Sequence, residues 1–393
     1  MRTILALSLT VLLGMSATGR GQDLQQAARA YNEMGFHLLA QCRQSLPKPN
    51  YFLSPAGLAF ALAMVENGAQ GETSRQIMAA LRAANMPLPQ FNEANKALLA
   101  RLANLDPKIK LEIANAIWIS QTASIKPAFV TVNERDFGAK AAVADFQKPS
   151  TVKTINDWVS ARTHGKIPFI VESPLDPMLR VLLLNAIYFK GDWQAPFDTN
   201  ATHDLPFTLR GGQAIQHPRM SHSGKYGYFE NDRFQAVELP YAGADISMFV
   251  FLPKGGLDDF LKDFTMEDFQ KTLAQMPPRK GVVQLPRFKL ENDYNLTSIL
   301  PKMGMPLAFT PAADFGAISD EPLQISMVKQ KTYIDVNEKG TEAAAVTVAG
   351  IRALAMRREE PPFQFVVDRP FFMAIRERQT GLILFLGAIY DPR

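Results

Sequence analysis

Two residues of the chain, Ser150 and Lys153, have types and a spacing that could support covalent catalysis. Ser150 and Lys153 have the Ser-x-x-Lys spacing with which some acyl transferases activate a serine, and Lys331-Thr332 partly matches another motif of those enzymes. Tyr333 follows where those enzymes carry glycine, and no convincing Ser-Asp-Asn motif completes the set. The chain also lacks His-Glu-x-x-His, Gly-x-Ser-x-Gly and Walker motifs, and its five histidines show no metal-ligand spacing. We therefore expect neither an enzyme nor a metal site.

The most unusual segment connects a predicted strand that ends near Val336 with one that starts near Phe363. Its length of more than twenty residues is uncommon in a compact domain, where such connections are often functional. With the two-residue period of a strand, one face of residues 341–349 carries only small, uncharged side chains. That face consists of Thr341, Ala343, Ala345, Thr347 and Ala349, and the other face consists of Glu342, Ala344, Val346 and Val348.

A uniformly small face suits a segment that slides between two existing strands. A large or charged residue on that face would clash, or would bury a charge without a partner. Gly340 precedes the segment and supplies the backbone freedom that a hinge requires. The alternative interpretation is an exposed, alanine-rich helix of two turns, because alanine has the highest helix propensity.

The elements that must position this segment have the pattern of one α+β domain, with helices mostly in the first half and strands in the second. Apolar periodicity and helix start signals predict helices over residues 24–44, 55–68, 73–81, 152–164, 257–264, 266–275 and 294–303. Strand composition predicts strands over residues 111–120, 181–189, 236–241, 247–252, 281–285, 324–336, 363–367, 371–376 and 382–389. The apolar run 181–189 is interrupted only by Asn185, a pattern typical of a strand buried on both faces.

The N-terminal segment has the pattern of a signal peptide. Arg2 precedes an apolar run over residues 4–15, and small residues follow it. We predict that residues 1–22 are a signal peptide and that residues 23–393 form a single domain, which is secreted (extracellular or periplasmic). The alternative is an N-terminal core helix.

Composition excludes other classes of protein. The formal net charge is +4 and no dense Lys/Arg run occurs, so we expect no nucleic-acid partner. No later stretch is long and apolar enough to predict a membrane helix, and we expect no membrane partner. Cys42 is the one cysteine, which excludes an intramolecular disulfide.

Seven motifs, in order along the chain, resemble those of the serpin family. They are NYFLSPAGLAFALAMVENGAQGET at 50–73, INDWVSARTHGKI at 155–167, LLLNAIYFKGDWQAPF at 182–197, LPRFKLENDYNLTSILPKMGMPLAF at 285–309, GTEAAAVT at 340–347, FVVDRPFFMAI at 365–375 and GLILFLGAIYDP at 381–392.

The resemblance implies a fold of three β-sheets and eight or nine helices, with an exposed reactive-centre loop at about 338–362. It also implies that the partner is a target serine protease. The protease cleaves the loop and becomes esterified to it, and the freed loop then enters the main sheet as a new strand and distorts the protease. Under this interpretation the chain is a monomer and needs no cofactor.

The family pattern also locates the bond that the protease cleaves. Counting fourteen residues after Gly340 gives Leu354, with Ala355 on the leaving side, which suits a chymotrypsin-like, elastase-like or cathepsin G-like target. The stretch from Leu354 to Pro370 is longer than is common in the family, and counting back from the C-terminal motif gives a later residue, near Glu359. Alternative reactive sites are therefore Met356, Arg357 and Arg358, of which either arginine implies a trypsin-like target.

Other site residues follow from the same resemblance. Ser54, Asn185 and Gln330 match the shutter, the polar residues beneath the region where the main sheet opens, and Trp193 matches the top of the sheet where the hinge enters. Asn185 and Trp193 are equally interpretable as ordinary core residues. The hinge itself comprises Glu338, Gly340, Thr341, Glu342, Ala343, Ala344 and Ala345.

Two residues depart from the family pattern in the shutter. Gly57 lies where a second serine is common, and Gln330 lies where a histidine is common. A non-inhibitory serpin that acts as a binding or chaperone protein is the alternative function. Such members tend to carry bulky, charged or proline residues in the hinge, and the small face of this hinge has none.

Overall fold

The structure, a computed structural model, describes residues 4–341 and 361–393, and it describes side chains from Gly21 onward. Eight α-helices form over these residues and are numbered in chain order. They are α1 (Ile4–Ser45), α2 (Pro55–Glu66), α3 (Gly71–Ala80), α4 (Leu88–Ala103), α5 (Pro127–Phe137), α6 (Pro149–Arg162), α7 (Leu257–Asp263) and α8 (Met266–Ala274). Short 3-10 turns lie at Thr199–Ala201, Ala242–Ala244, Leu300–Met303 and Leu307–Phe309.

Fifteen strands form over the same residues. They are β1 (Tyr51–Leu53), β2 (Ile109–Ser120), β3 (Lys140–Ala144), β4 (Val181–Asp192), β5 (His203–Thr208), β6 (Ala214–Glu230), β7 (Phe234–Pro240), β8 (Ile246–Pro253), β9 (Pro278–Pro286), β10 (Phe288–Asn295), β11 (Ile325–Asn337), β12 (Gly340–Thr341), β13 (Phe363–Val366), β14 (Phe371–Glu377) and β15 (Ile383–Ile389).

The main sheet contains six strands in the order β10, β11, β12, β4, β2, β3. Its two long central strands, β11 and β4, run in the same direction and pair directly over residues 325–333 and 181–188. Only at one end does the two-residue strand β12 lie between them, antiparallel to both. We call the line between β11 and β4 the insertion site.

The second sheet contains nine strands, with β6 shared between its two parts. Residues 228–230 of β6 pair with β7, which leads on to β8, β14, β15 and β1. Residues 219–227 pair with β9, which leads on to β13. The three sheets implied by the sequence therefore correspond to the main sheet and the two parts of this sheet.

Helix α2 forms the centre of the core, and the sequence explains both its start and its position. Ser54 caps the helix by accepting a hydrogen bond of 3.0 Å from the Gly57 amide, and Pro55 occupies the first helical position, where no amide donor is needed. Every residue of α2 is buried. An apolar helix of this kind is stable only when protein surrounds it.

Strand β4 is buried on both faces, as its continuous apolar run predicts. Leu183 and Ile187 face the large core shared with α2, whereas Leu182 and Leu184 belong to a second apolar cluster. Ile155 and other residues of α6 complete that second cluster. The main sheet thus lies between two apolar layers, and α6 covers the outer one.

The prediction of a helix over residues 294–303 is wrong. Strand β10 continues to Asn295, and only the 3-10 turn Leu300–Met303 follows. The alternation of β10 was hidden because a polar residue, Asn292, occupies one of its inward positions and is buried. Helices α4 and α5 and the long strand β6 were not predicted.

Helix α1 includes the residues predicted as a signal peptide. It runs without a break from Ile4 to Ser45, and its buried side chains, among those described, begin at Ala27. Cleavage after residue 22 stays a prediction. In the described part of the chain, no helix combines the length and the apolar character needed to cross a membrane.

Glu66, the last residue of α2, carries a buried carboxyl group that is 2% exposed. One of its oxygens accepts a hydrogen bond from the Ser74 hydroxyl, and the other has no partner among the described residues. Burial raises the pKa of Glu66 to about 8, although the Ser74 hydrogen bond opposes the shift. The folded chain therefore disfavours the ionised form of this side chain.

The stability of the folded chain should consequently fall as pH rises from about 4.5, the ordinary pKa of glutamate, to about 8. In that window the folded chain holds a proton on Glu66 that the unfolded chain has lost, so the free energy of unfolding decreases with pH. We expect Glu66→Gln to raise the thermal midpoint increasingly across this window. Glu72→Gln, at an exposed residue of α3, is the matched control. A midpoint difference between Glu66→Gln and the unaltered chain that does not change with pH would contradict this assignment.

Candidate functional site

The hinge re-enters its own sheet immediately after β11. The chain turns at Glu338 and Lys339, and Gly340 and Thr341 form β12. Thr341 pairs with Val336 of β11 on one side and with Gly191 of β4 on the other. The first two residues of a new central strand are therefore already in place.

Thr341 is fully buried in this position. Its hydroxyl shares a hydrogen bond of 2.9 Å with the hydroxyl of Tyr241, which is itself fully buried. Burial raises the pKa of Tyr241 far above its ordinary value, so its hydroxyl stays neutral. The side chain of Thr341 thus points into the core, where a long or charged side chain would have no room and no partner.

Gly340 is required by the geometry of this turn. Its φ of +151° is unfavourable for other residues, and a Cβ atom at this position would lie 2.1 Å from the carbonyl oxygen of Gly191. It would also lie 2.6 Å from Cα of Asp192. Because these neighbours are backbone atoms of β4, they cannot move aside without disrupting the sheet.

Glu338 anchors the turn through an ion pair in which its own carboxylate is buried and the guanidinium of Arg287 is exposed. Its carboxylate accepts hydrogen bonds from Nε of Arg287 at 2.7 Å and from the hydroxyl of Thr202 at 2.5 Å, and Nη2 of Arg287 also contacts it. Burial opposes ionisation, but these donors outweigh it and hold the pKa of Glu338 below its ordinary value. The carboxylate therefore stays charged and bound, which fixes the start of the hinge.

Trp193 holds the turn from the other side. Its indole nitrogen donates a hydrogen bond to the carbonyl oxygen of Asn337 at 2.9 Å, and its backbone amide donates one to the carbonyl oxygen of Lys339 at 2.8 Å. The ring stacks on Tyr241 with centroids 4.5 Å apart. The amide of Phe197 donates to the carbonyl oxygen of Glu338 at 2.7 Å. Trp193 thus lies where the hinge enters the sheet.

The shutter residues form a continuous hydrogen-bonded network in the core, halfway along the insertion site. Gln330 exchanges two hydrogen bonds with the backbone of Ser54, at 3.0 and 2.8 Å, and donates to Oδ1 of Asn185 at 2.7 Å. Asn185 in turn donates to Oδ1 of Asn115 on β2 at 2.7 Å. The Gln330–Asn185 hydrogen bond directly joins β11 to β4. A strand entering between them must break it.

Gly57 makes room for this network. A Cβ atom there would lie 2.6 and 2.7 Å from the oxygen and nitrogen of the Asn185 amide, closer than side chains approach in proteins. The missing side chain lets Asn185 sit against α2 in reach of Gln330. The two departures from the family pattern, Gly57 and Gln330, therefore belong to one arrangement.

The structure brings together the described members of the predicted site as two groups. Glu338, Gly340, Thr341 and Trp193 meet at the end of the insertion site, and Ser54, Asn185 and Gln330 meet in the shutter network. The remaining predicted residues lie outside the described part of the chain, so their roles stay predictions. They are Glu342, Ala343, Ala344, Ala345, Leu354, Ala355, Met356, Arg357 and Arg358.

Four residues of the site were missed by sequence reasoning: Asn115, Thr202, Tyr241 and Arg287. Asn115 had a readable signal, because it interrupts an apolar strand just as Asn185 does. Arg287 had none, since nothing in the sequence distinguishes it from the other arginines. Within the described residues, no group of three or more possible ligands lies close enough to hold a metal ion.

Comparison with known proteins places this arrangement in a family. The family model "Serpin (serine protease inhibitor)" matches residues 29–392. The chain belongs to the serpin family. Iripin-2 of Ixodes ricinus is 34% identical over 391 residues, covering 97% of this chain and 98% of that protein.

Two further relatives support the same conclusion. The leukocyte elastase inhibitor of Sus scrofa is 33% identical, covering 94% of this serpin and 100% of that protein. The crystal structure of the thermophilic serpin tengpin in the native state superposes with a TM-score of 0.85 at 29% identity, covering 93% of this serpin and 94% of that chain. The α+β serpin fold expected from the sequence is thereby confirmed.

Gly57→Ala tests the packing of the shutter network. The added methyl group should displace the Asn185 amide and leave Gln330 without its partner, at a cost of about 2 kcal/mol. We expect a lower thermal midpoint, measured by circular dichroism. Gly211→Ala is the control, because a Cβ atom there meets nothing within 4 Å. Equal midpoints for the two variants would refute this packing.

Gly340→Ala tests whether the hinge occupies the sheet in solution. The methyl group cannot fit against Gly191, so we expect residues 338–341 to leave the insertion site. The amides of Trp193 and Phe197, which donate to the hinge, should then exchange faster with deuterium. The Gly211→Ala variant should exchange like the unaltered chain. Unchanged protection of both amides in Gly340→Ala would argue against an inserted hinge.

Proposed function

We propose that this serpin inhibits serine proteases as a suicide substrate. A protease cleaves the reactive-centre loop and becomes esterified to it, and the freed loop enters the insertion site before the ester is hydrolysed. The protease supplies the nucleophile and this chain supplies the substrate and the trap, so the chain is not itself an enzyme. The observation that carries the proposal is the position of β12. Its two residues, Gly340 and Thr341, already lie between the central strands β11 and β4.

The strand directions make insertion favourable. β11 and β4 are parallel to each other, and β12 lies antiparallel to both. A loop strand that continues β12 therefore replaces one parallel pairing by two antiparallel pairings. Antiparallel pairing is slightly more stable per residue. Roughly ten to fifteen new backbone hydrogen bonds at about 0.5–1.5 kcal/mol each contribute about 5–20 kcal/mol. That is comparable with the whole stability of a typical protein, about 5–15 kcal/mol, and is therefore enough to distort a bound protease.

The register of β12 predicts where each loop residue goes. Thr341 lies opposite Val336 and Gly191, so in a fully inserted strand Thr347 comes opposite Gln330 and Asn185. Residues 341 and 347 share a face because their separation is even. Thr347 then presents a hydroxyl to the two amides whose hydrogen bond the strand has broken, and so keeps the buried amides satisfied.

The length of the insertion site favours one reactive bond. By the same register, Arg352 comes opposite Ile325, the first residue of β11. Cleavage after Leu354 leaves two residues beyond the sheet, whereas cleavage after Arg357 or Arg358 leaves five or six. A shorter tether holds the protease more firmly against the end of the sheet, which supports Leu354–Ala355.

An apolar primary pocket is the chemistry that recognises leucine, so we propose a chymotrypsin-like or elastase-like target. The relative from Sus scrofa, which is named for inhibition of leukocyte elastase, supports this choice. We further propose that the inhibitor works as a monomer without a cofactor. Its only partner in this reaction is the protease.

We also propose that the chain is secreted after removal of residues 1–22. The apolar run over residues 4–15 and the small residues after it support this proposal. Expression in a secretion-competent host and N-terminal sequencing of the exported protein test it. We expect a mature chain that begins close to Asp23. A cell-retained protein that still starts at Met1 would contradict it.

The covalent complex is the direct test of inhibition. After mixing with chymotrypsin or pancreatic elastase, we expect a band on a denaturing gel at the combined mass of the protease and this chain, and it should survive boiling in detergent. Mass spectrometry of the released C-terminal fragment should show that it begins at Ala355. Cleaved chain together with free, active protease, and no such band, would favour the non-inhibitory alternative.

Thr341→Arg separates insertion from recognition. The arginine cannot be buried beside Tyr241, so the loop should still be cleaved but should not enter the sheet, and the covalent band should disappear while cleavage persists. Thr199→Arg, at an exposed residue, is the control and should keep the band. Undiminished trapping by Thr341→Arg would refute the insertion mechanism.

A further inference from the structure

Four charged side chains lie in one row across the main sheet, at the end where the hinge enters. They are Lys289 of β10, Asp335 of β11, Lys190 of β4 and Lys110 of β2. Each lies one residue away from the row that contains Thr341, whose side chain points into the core. Because side chains alternate along a strand, the four project from the outer face of the sheet. None of them is buried.

The row has a vacant place between Asp335 and Lys190. The direct pairing of β11 with β4 ends at Tyr333 and Tyr188. The pairing of both strands with β12 begins one row beyond Asp335 and Lys190. These two residues therefore face each other across a position that no residue of the described part of the chain occupies.

The two sides of this vacant place differ in their charge. On the β11 side, Asp335 lies opposite a cation, Lys289. On the β4 side, Lys190 lies directly opposite Lys110, and like charges in that position repel each other. Neither of these two lysines forms an ion pair with a residue that the structure describes. The β4 side thus lacks one negative charge.

We propose that Lys190 and Lys110 draw the hinge into the sheet by attracting the carboxylate of Glu342. Glu342 follows Thr341 in the sequence and lies outside the described part of the chain. By the register of β12, a strand that continues past Thr341 places residue 342 opposite Lys190 on one side and Asp335 on the other. Its carboxylate then supplies the charge that the β4 side lacks.

The inference rests on the proposed insertion of the loop, and it makes Lys190 and Lys110 positioning residues for that step. Glu342 is the first residue to enter after the two that already form β12. The attraction therefore acts at the start of insertion, when insertion competes with hydrolysis of the ester. A faster start raises the fraction of protease molecules that are trapped.

Lys190→Gln tests this role through the number of inhibitor molecules consumed for each protease molecule trapped. We expect that number to rise about twofold, because a cross-strand pair of opposite charges has been lost. The difference should shrink in 1 M NaCl, which screens the attraction. In a Glu342→Gln background, Lys190→Gln should have no further effect. Lys153→Gln is the control for loss of charge, because Lys153 is exposed on α6 and pairs with Asp157. It should trap like the unaltered chain.

A second measurement separates this inference from the proposed function. The thermal midpoint of each variant is compared before and after the loop is nicked at a single bond. We expect nicking to raise the midpoint in every variant, but by about 1 °C less in Lys190→Gln than in Lys153→Gln. If nicking raises no midpoint, insertion itself fails and this inference fails with it. If the rise and the trapping are the same in Lys190→Gln and Lys153→Gln, insertion stands and the role of Lys190 is overturned. An equal effect of Lys190→Gln with and without Glu342 would overturn the assigned partner.

Discussion

Strands β11 and β4 lie side by side and run in the same direction, and the rest of the molecule is organised around that pairing. A parallel neighbour pair can accept a third strand that is antiparallel to both, with a full set of hydrogen bonds on each side. Apolar layers cover both faces of the sheet at this line, so an inserted strand becomes buried as soon as it enters. The free energy that drives the proposed trap therefore resides in the sheet, and the loop delivers the missing strand.

Two sets of contacts keep the sheet in its present form, and they differ in their chemistry. At the hinge, the ion pair between Glu338 and Arg287 acts together with Trp193 and Tyr241. In the shutter network the contacts involve a serine and three amides, none of which titrates near neutral pH. Position 330 is glutamine, where the family commonly has histidine. The hydrogen bond that joins β11 to β4 at this position therefore involves no side chain whose charge changes near neutral pH.

Much of the fold follows from local signals, whereas the contacts that lock the hinge do not. Ser54-Pro55 marks the start of α2, and the unbroken apolar run of β4 predicts a strand buried on both faces, because capping and burial are properties of neighbouring residues. Strand β10 is missing from the predictions because Asn292 breaks its alternation. The ion pair of Glu338 with Arg287 joins residues 51 positions apart, and only the tertiary structure brings them together. The alternation of small residues predicted a strand at the hinge, but the burial of Thr341 against Tyr241 joins residues 100 positions apart and arises only in the tertiary structure.

The account depends on one energetic claim, namely that the chain has a lower free energy once its loop lies inside the sheet and that only a kinetic barrier holds the intact form. The most direct measurement compares the thermal midpoint of the intact chain with that of the same chain nicked at a single bond in the loop, with the cleavage checked by mass spectrometry. The account predicts that the nicked chain melts about 10 °C or more above the intact chain. A nicked chain that melts at the same temperature as the intact one, or below it, would contradict the claim.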